Sequence, residues 1–238
     1  MREMVSDFVA GCKTCGRAKQ NWKHSQGNRK HIEIKDINEY IFIDHFGELP
    51  ASSYGYKHIL VILEGFSKFI KLYPVKSTNT LAVIKRIKEY QEVYTKDEPI
   101  QNAISDNGPA FRDSYKKEMK KLGINAYNTS SYNLPCNLAE RQMSCLGDYL
   151  QTVIFDQNKK HNQWYELLPD IEKALNEVEY GTTLEAPNEV ITGEPLEDEI
   201  VLLLGVNPRE VDREKTKNEI NLQLQKANSR TINQGCGT

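Results

Sequence analysis

Between residues 40 and 73 the chain alternates short apolar runs with turn-forming clusters. Tyr40-Ile-Phe-Ile-Asp-His-Phe46 is rich in aromatic and β-branched residues and predicts a strand. Ser52-Ser-Tyr-Gly-Tyr56 predicts a turn. Lys57 to Leu63 is a nearly continuous apolar run, the pattern of a central strand buried on both faces. Lys68 to Tyr73 predicts a third strand, stopped by Pro74. The short links imply an antiparallel meander. Thr78 to Tyr94 then shows helical spacing, with Leu81, Ile84, Ile87 and Tyr90 or Gln91 on one apolar face.

Shorter segments follow. Ile100 to Ile104 predicts a strand, and Ser105-Asp-Asn-Gly-Pro109 a turn built from strong turn formers. Phe111 to Leu122 predicts a helix closed by Gly123, and Ile124 to Tyr127 a fifth strand. Asn128 to Pro135 is polar and loop-like. Helices are predicted over Asn137 to Phe155, about Gln163 to Val178, and from about Asp212 to Ala227. The order is three strands, then helix and strand twice, then helices. It resembles the ribonuclease H-like fold: α/β, a five-stranded mixed sheet flanked by helices, with extra helices at the C-terminal end.

Composition narrows the class. The chain has 238 residues, 39% hydrophobic and 27% charged. That is the balance of a globular protein rather than a disordered polyelectrolyte. Its longest apolar runs, Ile59 to Leu63 and Ile200 to Leu204, are too short to cross a bilayer. The charged first residues argue against a signal peptide. Lys and Arg total 31 against 33 Asp and Glu, a net charge of −2, which excludes a uniformly basic surface. Charge is nevertheless local. Lys13 to Lys35 carries seven basic residues against Glu33 alone, which reads as a solvated connector or as a strip facing phosphates. Five cysteines, an odd number, argue for a reducing compartment. Cys12 and Cys15 form Cys-x-x-Cys, half of a metal site or a redox motif.

Three acids stand out. Asp44 interrupts the apolar run of the first strand, and a buried carboxylate is costly unless paired or bound to metal. Asp106 follows the fourth strand directly, where strand ends open onto ligand crevices. Glu140 lies near the start of a long predicted helix. Singly, each has a plain reading: a water-facing strand residue, a β-turn, a charged helix surface. Together, in this order and fold, they form a carboxylate cluster of the kind that hard cations such as Mg²⁺ or Mn²⁺ stabilise.

The segment from about Tyr40 to Pro195 resembles the integrase catalytic core of retroviruses and Ty3/gypsy-type retrotransposons. The residues that carry the likeness are Phe42-Ile-Asp-His-Phe-Gly-Glu-Leu-Pro50, Gly65-Phe-Ser-Lys-Phe69 and Ile104-Ser-Asp-Asn-Gly-Pro-Ala-Phe111. They continue through Ser131-Tyr-Asn-Leu-Pro-Cys-Asn-Leu-Ala-Glu-Arg141, Asn176, Ala186-Pro187 and Gly193-Glu-Pro195. The resemblance implies that Asp44, Asp106 and Glu140 are a D,D,E triad holding two Mg²⁺ or Mn²⁺ ions. It implies DNA as partner, through Asn107, Asn137 and Arg141, and a homo-oligomer that is nuclear when it acts and otherwise cytoplasmic. The basic cluster Lys116, Lys117, Lys120 and Lys121 reads either as further charge facing DNA or as a solvated helix face. Phe8 to Lys19 resembles the end of the zinc domain that precedes such cores. Cys12 and Cys15 are then a vestigial half-site, and bound Zn²⁺ is not expected.

The expected division is residues 1–35 as zinc-domain remnant and basic linker, 36–197 as core, and 198–238 as helical tail or linker. Glu64 stands where the family usually has Asp, and Ser144 replaces a common basic residue. The implied activity is DNA 3′-end processing and strand transfer. The alternative is a catalytically decayed or domesticated fragment that binds DNA or protein.

Overall fold

The computed structural model describes residues 32–95, 98–128, 146–152, 161–179, 183–194 and 213–235. The elements are β1 (Tyr40–Phe46), β2 (His58–Glu64), β3 (Ile70–Val75), α1 (Thr80–Tyr94), β4 (Asn102–Ser105), α2 (Asp113–Lys121) and β5 (Asn125–Asn128). They continue with α3 (residues 146–152), α4 (Leu168–Glu177), α5 (Pro187–Thr192) and α6 (Arg213–Gly235). Short 3₁₀ turns, Pro109–Phe111 and His161–Leu167, lead into α2 and α4.

The sheet order is β3-β2-β1-β4-β5. β1 and β3 both run antiparallel to β2, which is the meander expected from the short links. β4 pairs with β1, and β5 with β4, in parallel. The mixed five-stranded sheet with flanking helices is the ribonuclease H-like architecture. Six of the seven β2 residues are buried, as a strand covered on both faces requires.

Several boundaries differ from the sequence reading for physical reasons. β3 continues through Pro74 to Val75, because β3 is an outer strand and a proline there removes no essential ladder donor. It begins only at Ile70, since Lys68 adopts φ 71°, outside the strand region. α1 starts at Thr80, where the Asn79 side chain accepts from the Ala82 N–H at 2.8 Å. Leu81, predicted on the apolar face, is 78% exposed; the buried face is Val83, Ile84, Ile87 and Tyr90. α5 was not anticipated.

Two features hold the periphery. Along the outer edge of β3, Asn176 of α4 accepts from the Ile70 N–H and donates to the Ile70 carbonyl, both at 2.8 Å. Glu172 accepts from the Leu72 N–H at 2.8 Å and pairs with Lys71 at 2.5 Å. α6 docks on the core rather than standing apart. Ile220 is fully buried, Lys217 pairs with Asp36 at 2.8 Å and with Glu98, and Asn221 donates to the Lys35 carbonyl.

Candidate active site

Pairing sets the site. In the parallel ladder Ile43 faces Ser105, so Asp44 and Asp106 are the next positions on β1 and beyond β4. The two aspartates thus hold adjacent backbone positions where neighbouring parallel strands end, the place where sheets of this kind open onto ligands. Asp44 is half-buried and Asp106 exposed. One oxygen of each is fixed by a nearby backbone N–H. His45 donates to Asp44 Oδ1 at 2.7 Å, and Gly108 donates to Asp106 Oδ1 at 2.9 Å. A Cβ on Gly108 would meet Asp106 Oδ1 at 2.9 Å, so any larger residue crowds this carboxylate.

The turn that carries Asp106 is tied from outside. Asn128, the last residue of β5, donates through Nδ2 to the Asp106 carbonyl at 2.8 Å and to the Phe111 carbonyl at 2.9 Å. Behind the turn, His45 packs against Phe111 with ring centroids 5.3 Å apart, and Phe111 meets Tyr115 edge-on at 5.2 Å. Burial pulls the His45 imidazole down to about 4; nearby His58 lowers it further and Asp106 opposes the shift. The ring is neutral at physiological pH.

Strand alternation sorts these groups onto two faces. Asp44 shares its face with Phe42 and Phe46, and Phe46 lies 3.4 Å from where a Gly147 Cβ would stand. The helix at residues 146–152 therefore packs on the Asp44 face. His45 and Ser105 point the other way, toward Phe111 and α2. Lys116 and Lys120 are exposed on α2. Asn107 is exposed in the turn itself. Glu140, Asn137, Arg141, Cys12 and Cys15 lie outside the described residues, as does Ser144.

Glu64, noted only as a departure from the usual acid, has a different role. It is fully buried and accepts from the N–H groups of Asn38 (3.0 Å), Phe66 (3.0 Å) and Ser67 (2.6 Å) and from the Ser67 hydroxyl (2.5 Å). Burial pushes its carboxyl up; the Ser67 and Phe66 donors and Lys68 pull against that. Glu64 faces Ile41, three positions along β1 from Asp44, and belongs to the scaffold.

Hard oxygen donors on two adjacent carboxylates, one solvent-facing, fit Mg²⁺ or Mn²⁺ rather than a thiolate-preferring metal. Among the described residues no group of three or more His, Cys, Asp or Glu is placed to hold an ion. Among them also, no helix is long and apolar enough to cross a membrane.

Fold and pairing define the class as an α/β protein of ribonuclease H-like architecture with an acidic strand-end site. No protein-family model matches the chain. In sequence it is 29% identical over 168 residues to the Pro-Pol polyprotein of simian foamy virus type 3, covering 69% of this chain and 14% of that protein. It is 31% identical over 130 residues to the Gag-Pol polyprotein of feline leukemia virus, covering 52% of this chain and 7% of that one. The chain thus spans a small part of the polyproteins it matches. In structure it superposes on the simian T-cell lymphotropic virus intasome in complex with PP2A regulatory subunit B56 gamma. That match has a TM-score of 0.57 at 16% identity, covering 83% of this chain and 69% of that one. The HTLV-2 integrase catalytic core domain in complex with magnesium gives a TM-score of 0.50 at 16% identity, over 65% of this chain and 96% of that one. The resemblance to a pol-derived integrase core, read from the motifs, holds in these relatives and in the fold.

Proposed function

We propose that the chain is the core of an integrase-type polynucleotidyl transferase acting on DNA ends. The observation that carries this reading is the parallel register that sets Asp44 beside Asp106. The Pol relatives and the fold shared with integrase cores support it. Glu140 is the third carboxylate of the proposal. Its assignment comes from the Ala139-Glu-Arg141 motif of the integrase resemblance, and it lies outside the described residues. The described helix that follows it meets the sheet at one point. Gly147 packs on Phe46, which shares its side of the sheet with Asp44.

Asp44, Asp106 and Glu140 would hold two divalent cations. When bound, these polarise the scissile phosphodiester and make a hydroxyl nucleophilic at neutral pH. The chain's own contribution is positional. Backbone N–H groups pin one oxygen of each aspartate, which fixes where the carboxylate charge sits before DNA arrives. No protein nucleophile is required, since water or a DNA 3′-hydroxyl attacks directly. Joining two DNA ends calls for more than one subunit, and chromosomal target DNA places the action in the nucleus.

Resolution of a branched DNA, the reverse of strand transfer, tests the reading in Mn²⁺ or Mg²⁺. Asp44→Asn, Asp106→Asn and Glu140→Gln should each reduce turnover by more than about 100-fold, beyond the cost of losing an outer-shell partner. Metal-dependent turnover that survives these changes would refute the assignment. A folded wild-type chain with neither turnover nor metal binding would favour the decayed-fragment reading.

A further inference from the structure

We propose that Asn128 is a positioning residue for Asp106. It holds the metal-facing turn closed from a neighbouring strand. The inference rests on the proposed metal site but adds a residue to it.

Within the turn from Asp106 to Phe111, the Gly108 N–H donates to Asp106 Oδ1 at 2.9 Å and the Phe111 N–H to the Gly108 carbonyl at 3.0 Å. Neither joins its two ends. Asn128 does, because its single amide nitrogen donates to the carbonyls of Asp106 and Phe111 together. Both neighbours are carbonyl oxygens, so the nitrogen and not the oxygen must face them. No other uncharged side chain of this size offers two protons from one atom. A hydroxyl supplies one proton, and a carboxylate would meet two carbonyl oxygens with a third negative group.

The geometry is anchored on both sides. Asn128 pairs with Ser105 in the β4–β5 ladder, so its Cα is fixed relative to the residue just before Asp106. On the far side of the turn, Phe111 is buried between His45 and Tyr115. Asn128 therefore links a rigid strand, the aspartate backbone and a packed aromatic. Without it, Asp106 keeps its hydrogen bond to Gly108, Thr80 still holds the Ala110 carbonyl at 2.8 Å and Phe111 still packs on His45, but the Asp106 carbonyl loses its link to β5 and to the far end of the turn. The carboxylate then samples positions that no longer match that of Asp44.

Mn²⁺ binding to the full chain, followed by electron paramagnetic resonance, tests this with three variants. Asp106→Asn reports on the metal site itself. Asn128→Ala removes the donors, and Asn128→Leu removes them while keeping side-chain bulk if the alanine variant folds poorly. The expected result is Mn²⁺ affinity lowered about 10- to 100-fold in the Asn128 variants, the range for lost outer-shell partners. In branched-DNA resolution the same variants should need more Mn²⁺ for half-maximal rate yet approach wild-type turnover at saturating Mn²⁺. A role in stability alone would not split the two parameters in this way. If Asp106→Asn binds Mn²⁺ as tightly as wild type, the metal-site reading fails. If Asp106→Asn weakens binding while folded Asn128 variants match wild type, the positioning role is overturned.

Discussion

Lys68 is a lysine with 6% of its surface exposed, held at φ 71° beside the buried Glu64. Burial pulls its ammonium down to about 8 from 10.5, against the attraction of Glu64. Between these values the unfolded chain binds a proton that the folded chain lacks, so stability rises with pH across that window. Above 10.0 half-buried Tyr73 and buried Tyr90 and Tyr115 reverse the trend, because desolvation raises their hydroxyls and the unfolded chain ionises first. Urea unfolding from pH 7 to 10 should therefore show a rising unfolding free energy, and Lys68→Met should flatten it. An unchanged slope in the variant would assign the rise to other groups. Residue by residue, legibility in the sequence depended on where the partners lie. Asp44 was conspicuous because a charge interrupts an apolar run, and Asp106 because strong turn formers follow it. Glu64 was visible only as an acid, since one of its four donors comes from Asn38, 26 positions away. Asn128 read as the start of a loop, because its acceptors are backbone carbonyls 17 and 22 residues earlier.

At the scale of elements, the apolar pattern located every strand to within a few residues and misjudged what tertiary contacts decide. Leu81 sits about 120° around α1 from Ile87 and faces water, while Val83 takes the buried position. Pro74 stops a strand in an isolated sequence but not on an outer edge. The contact of α4 with β3 is likewise invisible in the sequence, although Asn176 carries part of the integrase likeness. Its amide pairs with Ile70 as a neighbouring strand would. Asn176→Ala leaves both groups of Ile70 without their partner and should destabilise the fold by about 2 kcal/mol. Chemical denaturation checks this, and a change within error would mean that water replaces the amide at no cost.

For the whole molecule, the order of strands and helices already indicated the architecture, because a meander followed by two helix–strand units leaves few sheet orders open. The course of the C-terminal helix was not legible. Residues 212–227 read as a polar helix in a tail or linker. In the structure Ile220 is buried in the common core and Lys217 bridges Asp36 and Glu98, tying α6 to the segment that enters β1. Ile220→Ala should lower global stability by about 3 kcal/mol in a single cooperative transition. A midpoint equal to wild type would show that α6 melts independently of the sheet. The side chains that α4 lays along β3 also bear on how copies of this chain can meet. Ile70 already commits both of its outward-facing backbone groups, and Leu72 its N–H, within their own chain, which blocks the ladder a continuous intermolecular sheet would need at this stretch of β3. Any assembly of this protein that uses that side of the molecule must form through side-chain surfaces, and can come apart again without breaking a strand ladder.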